Sequence, residues 1–302
     1  TDNNQKAFAL FLSKDYEKAK ELLENKEAWV IDYIKNHFEN LEHLSYSGII
    51  KDPKTYLEQR ILKLREANKA MIKGTIVHEI IEKLLKKEEV DIEKYLLERN
   101  QNLQEKTNQE PQEKTNQNLQ ESYENYEQTP SEKQELQTIL DNAKSMIEQI
   151  TTEKGYSEIV GAEIGFKNLE INKILGLDTK LTMTGKIDAI FKKPKSSDTS
   201  EPEYLIVDWK TDKAEKGNEA KHRRQLELYK TIYAHLNNIP MDSISVAIGY
   251  VSLKKRINDG FVGHSLDDTQ PQKRVINTTK EHIQVLIDWK NNPTLFLDTL
   301  ED

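Results

Sequence analysis

The chain's 302 residues are enough for one large domain or two small ones, yet only 36% are apolar and 32% are charged, so part of the length is expected to be solvated helix or disordered insertion. The absence of cysteine excludes disulfides, thiolate nucleophiles and cysteine-held zinc or iron-sulfur centres, and no apolar run approaches the roughly 18 residues of a membrane-spanning helix. The net charge of -8 is concentrated in residues 84–140, which hold 13 acidic and 7 basic side chains. Basic clusters at Lys221-His222-Arg223-Arg224 and Lys254-Lys255-Arg256 are left to meet phosphates, or simply solvent. The N-terminus, Thr1-Asp2-Asn3-Asn4, carries neither the basic region nor the apolar core of a signal peptide, so a cytoplasmic location is expected.

Gln5 to His43 has helical spacing, with Phe8, Leu10, Phe11, Tyr16, Leu22, Leu23, Trp29, Val30, Tyr33 and Ile34 among its apolar residues. Pro53 to Leu64 reads as a helix with proline in its first turn. From Gly74 to Leu85, paired apolars at 76/77, 80/81 and 84/85 mark a well-buried helix, with His78 at the border of its apolar stripe. Between about 100 and 130 the composition collapses to Gln, Asn, Glu, Lys and Thr, and Gln104 to Gln109 recurs as Gln112 to Gln117. Such repeats bury too little to offset the entropy of ordering, and an insertion that is disordered or loosely helical is expected. A helix resumes from Ser131 to about Ile150.

Strands are expected at Ser157 to Phe166, Leu181 to Phe191 and Tyr204 to Trp209. A helix from about Asn218 to Leu236 follows, then a strand from Ile244 to Leu253, a turn at Asn258-Asp259-Gly260 and a closing helix from Thr279 to Trp289. This order predicts an α/β core: a strand meander, a crossover helix and further strands, preceded by an N-terminal helical region.

The chemistry is concentrated in Gly185-Lys186-Ile187-Asp188 and in Asp208-Trp209-Lys210-Thr211. Each places an acid inside or at the end of an apolar strand, where a carboxylate is costly unless a cation or metal compensates it. The strand period of two sets Asp208 and Lys210 on one face, with Trp209 on the other. A lysine there could orient or deprotonate a water beside a metal-holding carboxylate. Alone, Asp208 and Lys210 would be no more than a strand-end ion pair. Gln225 and Tyr229, four apart on the next helix, can point at one site or merely pack on a sheet. His78 alone would read as a core histidine.

Taken together, these four elements resemble the RecB-type branch of the PD-(D/E)xK nuclease superfamily, in which Gly-x-x-x-His, Gly-x-x-Asp, Asp-(Tyr/Trp)-Lys-Thr and Gln-Leu-x-x-Tyr follow in this order. The resemblance covers about Ser45 to the C-terminus. It implies a restriction-endonuclease-like mixed central sheet flanked by helices over 45–302, with 1–44 as a helical region and the insertion at about 100–130 as an excursion. It further implies a nuclease acting on DNA in repair or recombination. His78, Asp188, Asp208 and the Trp209 carbonyl would be ligands to Mg²⁺, or Mn²⁺ in its place. Lys210 would activate the attacking water, Gln225 and Tyr229 would position it or the scissile phosphate, and Glu163 is a candidate outer ligand. Arg223 and Arg224 would contact DNA. Some relatives hold an iron-sulfur cluster on four cysteines, which this chain cannot do. With no phosphate-binding ATPase loop in the sequence, helicase activity would come from a partner subunit or a domain of a longer chain.

Two other readings compete. His78-Glu79-Ile80-Ile81-Glu82 suggests a zinc hydrolase, but it lacks the second histidine of His-Glu-x-x-His and leaves the aspartate strands unexplained. A nuclease fold that has lost activity and serves in DNA binding or assembly is opposed by the intact Asp188, Asp208 and Lys210.

Overall fold

The computed structural model describes residues 6, 9–10, 27–63, 69–107, 129–194, 203–211, 216–252 and 269–301. Most of the repeat-bearing insertion, the Lys254-Lys255-Arg256 cluster and the turn at Asn258 lie outside the described residues. The chain divides into two compact units, one of Thr1–Arg65, Phe166–Gly185 and Asn277–Asp302, the other of Glu66–Gly165 and Lys186–Ile276.

In the first unit, α1 (Glu27–Glu39) ends before the short strand β1 (His43–Leu44), so the helical pattern expected through His43 stops four residues early. Pairing explains the difference: His43 and Leu44 lie parallel to Thr182 and Met183, and a long-range ladder overrides local periodicity. Asp52 caps α2 (Pro53–Tyr56), its carboxylate accepting the Thr55 N–H. The helix expected through Leu64 then continues only as a π-helical turn, Leu57–Ile61. α6 (Ile171–Leu175) ends on left-handed Gly176. The closing helix α8 begins earlier than expected, at Thr269, and runs to Asn291; α9 (Pro293–Glu301) follows it. Phe38 stacks on Tyr56, and Trp289 and Phe296 meet both edge-on, forming an aromatic core. Lys290 Nζ donates to the Phe38 and Glu39 carbonyls, which closes the C-terminus of α1.

The second unit holds α3 (Lys69–Leu85), α4 (Ile92–Thr107) and α5 (Pro130–Glu148). α4 therefore reaches into the first part of the expected insertion. Thr129 and Glu132 form a capping box at the start of α5. Ile76, Val77 and Ile80 of α3 and Leu136, Leu140 and Ala143 of α5 join Ala189, Phe191, Leu205, Val207 and Trp209 in one buried cluster. The strand residues come from β3 (Thr182–Lys192) and β4 (Tyr204–Lys210), which run antiparallel with Ala189 opposite Val207. β4 lies parallel to β5 (Ile244–Tyr250), with Asp208 opposite Ile248 and Trp209 opposite Gly249. The crossover between these parallel strands is α7 (Lys216–Asn237), which packs against both of them. β2 (Glu158–Glu170) pairs with β3. The result is the mixed central sheet flanked by helices that the order of elements predicts.

Register across β4 and β5 depends on a glycine. A Cβ built on Gly249 would lie 2.3 Å from Cε3 of Trp209, the largest of the fully buried side chains. Gly249→Ala is therefore expected to destabilise the protein by about 1–3 kcal/mol through overpacking, read as a lower denaturation midpoint. An unchanged midpoint would show that the indole can move aside at no cost.

Candidate metal centre

Three elements of the second unit bring their side chains together. α3 presents His78, β2 presents Glu163 and β3 presents Asp188, with one donor atom from each lying within 4.8 Å of the others. His78 Nδ1 is 3.5 Å from Glu163 Oε1 and 3.6 Å from Asp188 Oδ2. Asp188 Oδ2 also accepts the Trp209 N–H at 2.8 Å, so the backbone of β4 is fixed against the carboxylate of β3. Because Leu205, Val207 and Trp209 face the cluster of α3 and α5, alternation turns Asp208 and Lys210 to the other face. There Lys210 Nζ lies 2.7 Å from Asp208 Oδ2 and donates to Gln225 Oε1 of α7 at 3.3 Å. Gln225 in turn donates through Nε2 to the Tyr229 hydroxyl at 3.2 Å. One turn of α7 thus extends the line from Asp208 through Lys210 to Tyr229.

The charges are strongly coupled. Burial, and then the charge of Asp208, push the Asp188 carboxyl up to about 7. Burial opposes a charge on Lys210, but Asp208 and Asp188 outweigh it and hold the ammonium well above the ordinary lysine range. Burial likewise disfavours a charged His78, yet Glu163 and Asp188 prevail and raise it. The bond from His78 lowers Glu163, as does Lys186, whose Nζ is 3.3 Å from Glu163 Oε2. Burial, with Asp208 and Asp188 nearby, pushes Tyr229 up to about 12 and keeps its hydroxyl a donor.

These residues fit a divalent cation. The Asp208 side chain is 2% exposed, and among the described residues no group donates a hydrogen bond to its buried Oδ1. A buried carboxylate oxygen without a donor, beside a second buried carboxyl raised to about 7, forms a pair that further positive charge would relieve. The donors are an imidazole and carboxylate oxygens, which suit a hard or borderline ion.

Glu163 adopts a φ of 50°, a left-handed conformation inside a strand, at a cost of about 1–2 kcal/mol. Glu163 stands within β2, and its carboxylate lies 3.5 Å from His78 Nδ1. Neither this backbone reversal nor the Lys186 pairing was singled out in the sequence. For Lys186 a signal was present, since it stands two residues before Asp188 on the same strand face. The basic cluster on α7 is divided by the fold: Lys221 is exposed and Arg223 and Arg224 are half-buried, but His222 is buried with Nδ1 3.2 Å from the Tyr250 hydroxyl. His222 is thus a packing residue rather than a phosphate contact.

No curated protein matches this chain. The model of the PD-(D/E)XK nuclease superfamily does match, over residues 51–294, a span that contains every element of the second unit and most of the chain. Nucleases of this superfamily use divalent metals, in keeping with the donor set here. With a match of that extent and an α/β fold of the expected kind, the chain belongs to the PD-(D/E)XK nuclease superfamily.

Proposed function

We propose that this protein is a Mg²⁺-dependent deoxyribonuclease of the RecB type. The observation that carries the reading is the convergence of His78, Glu163, Asp188, Asp208 and Lys210 from four separate elements. His78, Asp188, Asp208 and the Trp209 carbonyl are the assigned ligands, with Glu163 as a further one. When bound, the cation would supply Lewis-acid activation of a water and neutralise charge on the phosphodiester. Lys210, held as an ammonium, orients the attacking water and stabilises charge developing on the phosphate oxygens; with its raised proton affinity it is no base. Gln225 fixes the Lys210 side chain, and Tyr229 remains a neutral donor aimed along the same line. Arg223 and Arg224 meet the DNA backbone. The order of the four motif elements supports a role in repair or recombination beside a helicase supplied by a partner or a longer chain.

The test is cleavage of end-labelled DNA by the purified chain with Mg²⁺ or Mn²⁺, and its loss in a chelator. DNA binding without cleavage in either metal would favour the inactive module and overturn the reading.

A pH dependence follows from Asp188. Its folded proton affinity is raised above the unfolded value, so its contribution to stability is full below about pH 4 and is lost as pH rises through about 7. His78, also raised, runs in the same sense. A cation takes the place of these protons. The rise in melting temperature caused by Mn²⁺ is therefore expected to be larger at pH 8 than at pH 6, and an equal rise at both would contradict a site built on Asp188.

A further inference from the structure

We infer that Gly74 is a clearance on α3 over which the substrate strand passes to reach the metal centre; this rests on the nuclease reading above. Glycine inside a helix is disfavoured relative to alanine, because it loses more backbone freedom on folding. A glycine in that position needs a reason, and the two other glycines of the site's strands have one. A Cβ on Gly185 would lie 2.6 Å from Cζ of Phe166, and one on Gly249 would strike Trp209. At Gly74 a Cβ would meet nothing within 4 Å. Among the described residues, therefore, nothing requires glycine there.

The position of the opening suggests what fills it. Gly74 is one turn before His78 on the same helical face. The His78 side chain is 31% exposed and Gly74 is half-buried, so solvent reaches both positions on this face of α3. Neighbouring side chains do not bridge the gap: the Lys73 ammonium is paired with Glu135, and the Thr75 hydroxyl donates back to the Met71 carbonyl. What remains at Gly74, one turn from His78, is half-buried helix backbone with room where a Cβ would stand. A sugar-phosphate strand can lie close on such a surface, whereas any side chain at 74 would hold it away from the ring and the scissile bond away from Lys210.

The proposal is tested with Gly74→Ala and Gly74→Leu, by melting, Mn²⁺ titration and steady-state DNA cleavage. Gly74→Ala is expected to melt about 1–3 °C higher, as a helix-favouring change with room for its methyl group. Mn²⁺ affinity should stay within about twofold, while KM for DNA rises several-fold and kcat changes little, the pattern of lost substrate binding. Gly74→Leu should raise KM by roughly tenfold or more; should it fail to fold, the alanine variant decides. Wild-type KM in the leucine variant, or weakened Mn²⁺ binding in the alanine variant, overturns the clearance while leaving the nuclease reading intact. A wild-type chain that cleaves no DNA overturns the nuclease reading, and the clearance with it.

Discussion

Lys210→Ala is expected to lower kcat for DNA cleavage by about 10²–10³, the loss typical of removing one preorganised charge-stabilising donor. The same variant separates two roles of the lysine. In the metal-free protein its ammonium lies 2.7 Å from the Asp208 carboxylate, which is only 2% exposed. Deleting one partner of such a buried pair costs about 3–5 kcal/mol, so the metal-free variant should melt several degrees lower. Saturating Mn²⁺ supplies the missing charge and should restore most of that difference without restoring turnover. A variant that cleaves at the wild-type rate would remove Lys210 from the chemistry. One whose melting temperature stays low in Mn²⁺ would show that the lysine is needed for the fold itself.

The second large effect distinguishes the two aspartates. Asp188→Asn and Asp208→Asn should each abolish the Mn²⁺-induced rise in melting temperature and the cleavage activity, because both are assigned as ligands. Their effects on the metal-free protein should be opposite in sign at pH 8. Burial and the charge of Asp208 raise the Asp188 carboxyl to about 7, so at pH 8 it is largely ionised at a cost; an amide removes that unfavourable charge and keeps an acceptor for the Trp209 N–H. Metal-free Asp188→Asn should melt higher than wild type. Asp208→Asn instead leaves the Lys210 ammonium, 18% exposed, without its closest anion, and should melt lower. Titration calorimetry showing wild-type Mn²⁺ affinity in both variants would refute the ligand assignment.

Much of this site was legible in the sequence because each motif is local. Asp208, Trp209 and Lys210 need only the strand period to place carboxylate and ammonium together, and Gln225 and Tyr229 need only one helical turn. His78 became legible only beside the other elements, since nothing in its own helix separates a ligand from a core histidine. What the sequence hid was set by pairing between distant segments. Residues 157–166 read as a plain strand, although Gly161 and Gly165 bracket Glu163, the residue that turns left-handed. Likewise the dependence of Trp209 on Gly249 joins positions 40 residues apart through the β4–β5 register, and His43 leaves the helical pattern because Thr182 pairs with it.

The threading of the two units bears on the order in which the protein is made. The second unit ends at Ile276, so a nascent chain holds its whole complement of helices and strands once that residue has left the ribosome. The first unit cannot finish so early: the Phe38 carbonyl accepts from the Lys290 ammonium, and the aromatic partners of Phe38, Trp289 and Phe296, lie beyond Ile276. Until then α1 carries an unfinished apolar face, exposed while the intervening segments are made. The second unit is therefore expected to mature first, while α1, made before it, waits for aromatic partners that follow it.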